Sequence, residues 1–149
     1  WIGVSGIGAS GIIASYAARL FSRSGYPAYE LNRTGISLAE QLIEVGPSDV
    51  IVMLGHGRLH REASATVAEA ERLSVPLIGI VTSDKSPLIK IAEAAIVLPR
   101  SKSDQVALHA PMMCCLETMM IGLAAANPAK PLATLERIVE IRNRIRPKK

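Results

Sequence analysis

Aromatic residues are scarce in this chain, at 3% of 149 residues with one Trp, one Phe and three Tyr. A core must therefore be built from Ile, Leu, Val, Ala and Met, which suits a parallel sheet buried under helices. Cysteine is nearly absent too. The two present, Cys114 and Cys115, are adjacent in an apolar stretch with no C-x-x-C pair. Neighbours in a helix point in different directions, so they are expected as buried free thiols in a reduced cytoplasm. No apolar run approaches the ~20 residues of a membrane span, so no membrane partner is expected. There is no secretory signal, no internal repeat and no low-complexity segment. A starting Met is lacking as well, and the chain opens inside a strand-like run. An upstream segment, large enough to be a functional module, is expected.

Hydrophobic residues make up 49% of the chain, which excludes disorder, and 149 residues suit a single domain with a real core, 1–149. The net charge is +4, much of it near the end in Arg137, Arg142, Arg144, Arg146, Lys148 and Lys149. A basic tail can contact nucleic acid, and cations also suit the C-terminal end of a helix, where the dipole favours them.

Apolar runs alternate with helical patterns. Strands are expected at 2–5, 26–31, 49–54, 75–81 and 94–98, and helices at 10–24, 37–45, 59–73, 87–93, 106–126 and about 132–145. Gly25 stands where a C-cap would end the first helix. This order predicts an α/β fold, a three-layer open sandwich whose five-stranded parallel sheet is flanked by helices. Ligands in such sheets bind at the carboxyl ends of the strands, near the switch point. The 106–126 stretch is apolar on nearly every face, which predicts burial all round, partly against a second subunit; a homodimer or higher homo-oligomer follows.

The first fourteen residues carry the clearest chemistry. Gly6, Gly8, Ser10 and Gly11 join a strand to a small-residue helix. Such a turn points backbone N–H groups and a helix N-terminus at an anion. Gly6, Gly8 and Gly11 also fit the dinucleotide spacing G-x-G-x-x-G, and Glu30 lies where that motif expects an acid. Ser10 is placed to cap the helix or to touch a phosphate.

The second loop, Gly55-His56-Gly57-Arg58-Leu59-His60-Arg61-Glu62, is basic and follows a central strand, where an anion would lie. His56 and His60 have i,i+4 spacing, but a glycine-flanked His56 belongs to the turn and no Cys or Asp completes a set, so no metal is expected. The third loop, Thr82-Ser83-Asp84-Lys85-Ser86-Pro87-Leu88, offers Thr82 and Ser83 as donors, with Ser86 as an N-cap ahead of Pro87. No nucleophile triad, catalytic set or cofactor is visible. His109 is read as a core or cap residue. Glu117, the single acid in the long apolar helix, is read as a buried carboxylate, either a general base or an ion-pair partner across a dimer.

These segments together resemble the sugar isomerase (SIS) domain, a flavodoxin-like phosphosugar-binding module. The resemblance runs over roughly residues 2–126. Gly6-x-Gly8-x-Ser10-Gly11 is similar to the family's opening turn. The run Ile78-Gly-Ile-Val-Thr82, then Ser86-Pro87-Leu88 and Ala92-Glu93-Ala94-Ala95, resembles its later segment, although Ala95 lacks the usual acid. In detail the chain is most similar to the effector domain of RpiR-type bacterial regulators, on Gly8 to Ala14, Leu20 to Gly25 and the long helix. That resemblance implies a sugar phosphate effector held by Gly8, Ser10, Gly11, His56, Gly57, Arg58, Thr82, Ser83 and Ser86. It further implies DNA contacted through a missing N-terminal helix-turn-helix domain. The family's second loop usually reads S-x-S-G-x-T. Here Leu54, His56 and Leu59 replace those hydroxyls, so His56, Arg58 or backbone N–H groups would hold the phosphate. The alternative the resemblance carries is an aldose–ketose phosphosugar isomerase, for which His56, His109 or Glu117 would have to act as base.

Overall fold

The computed structural model describes residues 1–99 and 109–146. Five strands form one parallel sheet: β1 (Ile2–Ser5), β2 (Ala28–Leu31), β3 (Val50–Gly55), β4 (Leu77–Val81) and β5 (Ala94–Val97), in the order β2-β1-β3-β4-β5. The helices are α1 (Ala9–Arg23), α2 (Ile36–Leu42), α3 (Arg61–Leu73), α4 (Leu88–Ile91), α5 (Ala110–Ala126) and α6 (Ala129–Ile145). The α/β reading from the sequence is therefore correct.

Strand alternation builds two cores. Val4, Val52, Leu54 and Ile80 face α1 and α5, meeting Ile13, Ala17, Phe21, Met112 and Leu116. Leu31, Ile51, Met53, Leu77 and Val81 face the opposite layer, against Leu38, Val67, Ala70 and Leu88. Both faces of β3 are apolar because both are covered, which is why its sequence reads as an unbroken hydrophobic run.

Element ends depart from the sequence reading for local reasons. Helix α1 closes in a paired turn in which the Gly25 N–H donates to the Ser22 carbonyl and the Tyr26 N–H to the Phe21 carbonyl, with Gly25 at φ 86°. That turn takes up Tyr26, so β2 begins later than expected. His60 is extended, so α3 starts at Arg61 and His56 and His60 do not share a helical turn. Helix α4 is cut short because the Glu93 N–H already donates to the Leu77 carbonyl of the sheet. Helix α6 starts at Ala129 and holds Pro131 in its first turn, where a missing N–H costs no helical bond. Residues 106–108 of the expected long helix lie outside the described residues.

Two burial expectations are corrected. Helix α5 buries one stripe, Met112, Leu116 and Met120, while Met113 and Ile121 are exposed. Among the described residues it packs on the sheet and α1. Cys114 is exposed and Cys115 half-buried for the same reason, not both buried as expected; burial raises the Cys115 thiol above its ordinary value.

Candidate functional site

The chain leaves β1 to form β2 on one side of the sheet and returns to form β3 on the other. The β1/β3 boundary is thus the switch point, and three loops meet beyond it. Strand β1 ends at Ser5, beside Met53 of β3, and Gly55 of β3 lies opposite Val81 of β4. The turn after β1 needs its glycines. A Cβ on Gly6 would come within 2.5 Å of the Ser10 carbonyl oxygen, and Gly8 has φ 64°. Helix α1 starts there; the Gly11 N–H donates to the Gly8 carbonyl at 3.0 Å, and the N–H groups of Ala9 and Ser10 lie ahead of the first helical acceptor.

Ser10 is not the N-cap expected. Gly8 holds that position and makes no side-chain cap. Ser10 is the second residue of α1, 3% exposed, and its Oγ sits 3.2 Å from His56 Nε2. On the other side of the ring, His56 Nδ1 sits 3.1 Å from Thr82 Oγ1. One imidazole therefore bridges the first loop to the third. Thr82 Oγ1 also donates to the His56 carbonyl oxygen at 3.3 Å, which ties the third loop to the backbone of the second.

Ser10 and His56 line a narrow hollow of about 70 Å³, together with Ser5, Arg58, His60 and Ser86, while Thr82 stands behind the His56 ring. The hollow has room for the anionic end of a ligand while a sugar ring would lie further out. Gly57 borders it in open space, and a Cβ there would meet nothing. Gly11 packs its backbone against Gly6, where a Cβ would come within 3.0 Å of the Gly6 carbonyl oxygen. Ser86 is buried at the hollow but caps no helix, contrary to expectation. Ser83 is turned to a local task, its Oγ accepting the Lys85 N–H at 3.2 Å.

Three further placements bear on chemistry. Glu117 is exposed rather than buried, because it lies on the flank of α5 toward α1, where Tyr16 donates a 2.6 Å hydrogen bond to it. That bond raises the Tyr16 hydroxyl above its ordinary pKa. His109 holds the N-cap position of α5, its carbonyl accepting the Met112 and Met113 N–H groups, but makes no side-chain cap, and its ring centroid is 5.3 Å from that of His56. The pairing of His109 with His56 has no signature in sequence spacing, since only the fold brings α5 to the second loop. Glu30 lines a separate, larger groove of about 400 Å³ bounded by α1, β2 and α2, with Arg19, Arg33 and Glu40. An acid turned there does not serve a nucleotide ribose at the glycine turn. The groove is open and its charges mixed, with Arg33 and Glu40 paired at 3.5 Å, so the switch-point hollow is the better candidate. No group of three or more potential metal ligands occurs among the described residues.

Comparison with known proteins follows this geometry. A family model, the SIS domain, matches residues 2–128. Arabinose 5-phosphate isomerase KdsD of Escherichia coli K12 is 28% identical over 123 residues, covering 83% of this chain and 37% of that protein. This chain thus spans little more than a third of the length of the curated relatives it matches. Among solved structures, the sugar isomerase domain of an RpiR transcription factor from Sphaerobacter thermophilus superposes with a TM-score of 0.84 at 22% identity, over 93% of this chain and 78% of that one. Vibrio vulnificus NanR, complexed with ManNAc-6P, gives 0.80 at 18% identity, over 99% and 56%.

Proposed function

This chain belongs to the SIS-domain family, and on that premise we propose that it is the phosphosugar-sensing part of an RpiR-type bacterial transcription regulator. It acts in the cytoplasm as a dimer and biases DNA binding by a helix-turn-helix module elsewhere in the whole protein. The observation that carries this reading is the convergence of Ser10, His56 and Thr82 at the switch point, beside Arg58 and the first turn of α1. Hydroxyls, imidazole, guanidinium and helix N–H groups form a donor set for a phosphomonoester. Gly8, Gly11 and Gly57 shape the loops, Thr82 holds His56, and Ser86 closes the floor. Ser83, committed to its own turn, is the weakest member of the set. No carboxylate lines the hollow among the described residues, whereas sugar isomerisation calls for a base placed at C1–C2. A sugar phosphate shifts a regulator only if it binds one dimer arrangement better than another.

The second reading is an aldose–ketose phosphosugar isomerase. It is favoured by the KdsD likeness and would need His56 as its base. One experiment separates the two. The whole protein is assayed for retention of its upstream DNA in gels with and without sugar phosphates, and for aldose–ketose interconversion by NMR. The expected result is at least a tenfold change in DNA affinity with one sugar phosphate and no turnover. Turnover that disappears in His56→Gln, with DNA binding absent, would establish the isomerase.

A further inference from the structure

Helices α1 and α5 run side by side in the same direction. Tyr16 meets Glu117, and further along the Tyr26 hydroxyl, just past the end of α1, donates to the Leu123 carbonyl. Helical spacing therefore sets two matching lines of side chains, Ile12, Tyr16 and Leu20 on α1 and Met113, Glu117 and Ile121 on α5. Two adjacent helices leave a shallow groove between such lines. Ile12 is 74% exposed there, Met113 and Ile121 are exposed as well, and Tyr16 and Leu20 are half-buried. The one charge on the two lines is Glu117, which accepts the Tyr16 hydroxyl. Helix α6 carries the converse surface. It buries no residue, and only Pro131, Thr134 and Ile138 of its 17 residues are half-buried. On another face Leu132, Leu135 and Val139, at i, i+3 and i+7, stand exposed, and the stripe continues as Arg142 and Arg146. A lone helix of this length is marginal in water, so the stripe calls for a cover. Within its own chain α6 leaves α5 at 104° and meets the turn after α1, where Thr134 and Lys130 stand over Gly25.

We propose that α6 of a second copy lies in the α1/α5 groove, antiparallel to α5, with its Leu132, Leu135 and Val139 against Ile121 and Leu20 and its Arg142 paired with Glu117, and that the two copies exchange α6 reciprocally. The proposal rests on the dimer reading above and adds which segment covers which face. Charge and spacing argue for it together. Glu117 stands one turn from Ile121 on α5, and Arg142 stands one turn from Val139 on α6. Laid antiparallel, the two helices match apolar to apolar and acid to base in a single register. A guanidinium can take the Glu117 carboxylate while the Tyr16 hydroxyl keeps its own bond to it. The contact made twice closes a two-fold dimer and leaves neither a groove nor a helix over. A 17-residue helix is about 25 Å long, and a copy that contributes both a helix and a groove offers a surface on the order of the ~800 Å² per partner that stable interfaces bury.

The test is sedimentation equilibrium on two single variants of the protein, alone and mixed. Glu117→Arg sets two guanidinium groups against each other at both contacts of its homodimer, and Arg142→Glu sets two carboxylates against each other. Both positions are exposed in the single chain, so neither exchange disturbs its fold. Each variant alone should dimerise at least about tenfold more weakly than the parent. Mixed in equal amounts, the two variants restore an opposite-charge pair at both contacts, and the dimer should return to within about threefold of the parent affinity. Arg144→Glu, which changes charge on the polar side of α6, should dimerise as the parent does. Rescue in the Glu117→Arg/Arg142→Glu double variant but not in the mixture would place the pair inside one chain and overturn the exchange. So would a parent dimer that neither single variant weakens, which would give the groove to another occupant, or an equal loss in Arg144→Glu, which would reduce the effect to net charge. These outcomes leave the dimer reading intact. A parent that sediments as a single chain at every concentration would overturn both.

Discussion

Single residues set the geometry on which everything else stands, and Asp49 shows how. It closes the turn that launches β3, accepting the Gly46 N–H at 3.0 Å and the Tyr29 hydroxyl at 2.7 Å. Burial pushes its carboxyl up, the Gly46 N–H and the Tyr29 hydroxyl pull it the other way, and it lies below the usual carboxylate range. The same arrangement, led by burial, raises the Tyr29 hydroxyl well above its ordinary value. A lowered carboxyl contributes stability that is complete above the unfolded-state value near ~3.9 and is lost as pH falls through the folded-state value. Asp49→Asn should therefore cost about 1 kcal/mol at pH 7, and the difference from the parent should shrink below pH ~4. Urea titrations at pH 7 and pH 3 check it; an equal cost at both would remove the charge from the explanation.

The glycine turn was legible in the sequence because tight strand-to-helix turns demand glycine at fixed places, and Gly6 and Gly8 meet that demand on steric grounds alone. Ser10 was legible as a candidate for the site but not in its partner. Reading along the chain offered it a helix cap or a phosphate, whereas its hydrogen bond goes to His56 on another strand's loop. A contact between loops that are distant in sequence leaves no periodic trace.

At the scale of elements, helices were legible in type and less so in extent, since their ends are decided by what they meet. Gly25 illustrates this. Its positive φ is what a helix-ending turn requires, so the stop was readable, but the neighbour was not. A Cβ there would run into Thr134 Oγ1 of α6 and approach Lys130, whose ammonium sits 4.4 Å from the centre of the Tyr26 ring. Gly25 thus serves both as the stop of α1 and as the seat of α6. Gly25→Ala should cost at least about 1 kcal/mol from the left-handed backbone alone, and more from displacing α6. Faster amide exchange in α6 than in α3 of the variant would register the second effect; protection lost equally in both would point to backbone strain only. Burial of α5 was misread because hydrophobicity on all faces was taken as burial on all faces. One chain covers only the stripe through Leu116.

For the whole molecule, the uncovered outer face of α5 is the feature that speaks to assembly. Ile121 is 69% exposed, Met113 joins it, and α6 turns away at 104° with Leu132 and Val139 uncovered. Among the described residues no single helix is long and apolar enough to cross a membrane. A second copy of the chain is the partner our reading gives to this face. Light scattering on a sizing column should return twice the chain mass for the parent, and about the chain mass for Ile121→Asp at the same concentration. A parent that runs at single-chain mass would end the dimer reading.

The strand order also fixes a timetable. Because β1 lies inside the sheet, the first β-α-β unit made places β2 on one flank, and β3, β4 and β5 then add outward in the order of synthesis. The face carrying Val4, Val52 and Ile80 receives α1 early, yet its second cover, α5, follows all five strands in the chain. Until α5 emerges that half of the core stands bare, and the nascent chain depends on slow completion of long-range pairing before it is safe from aggregation.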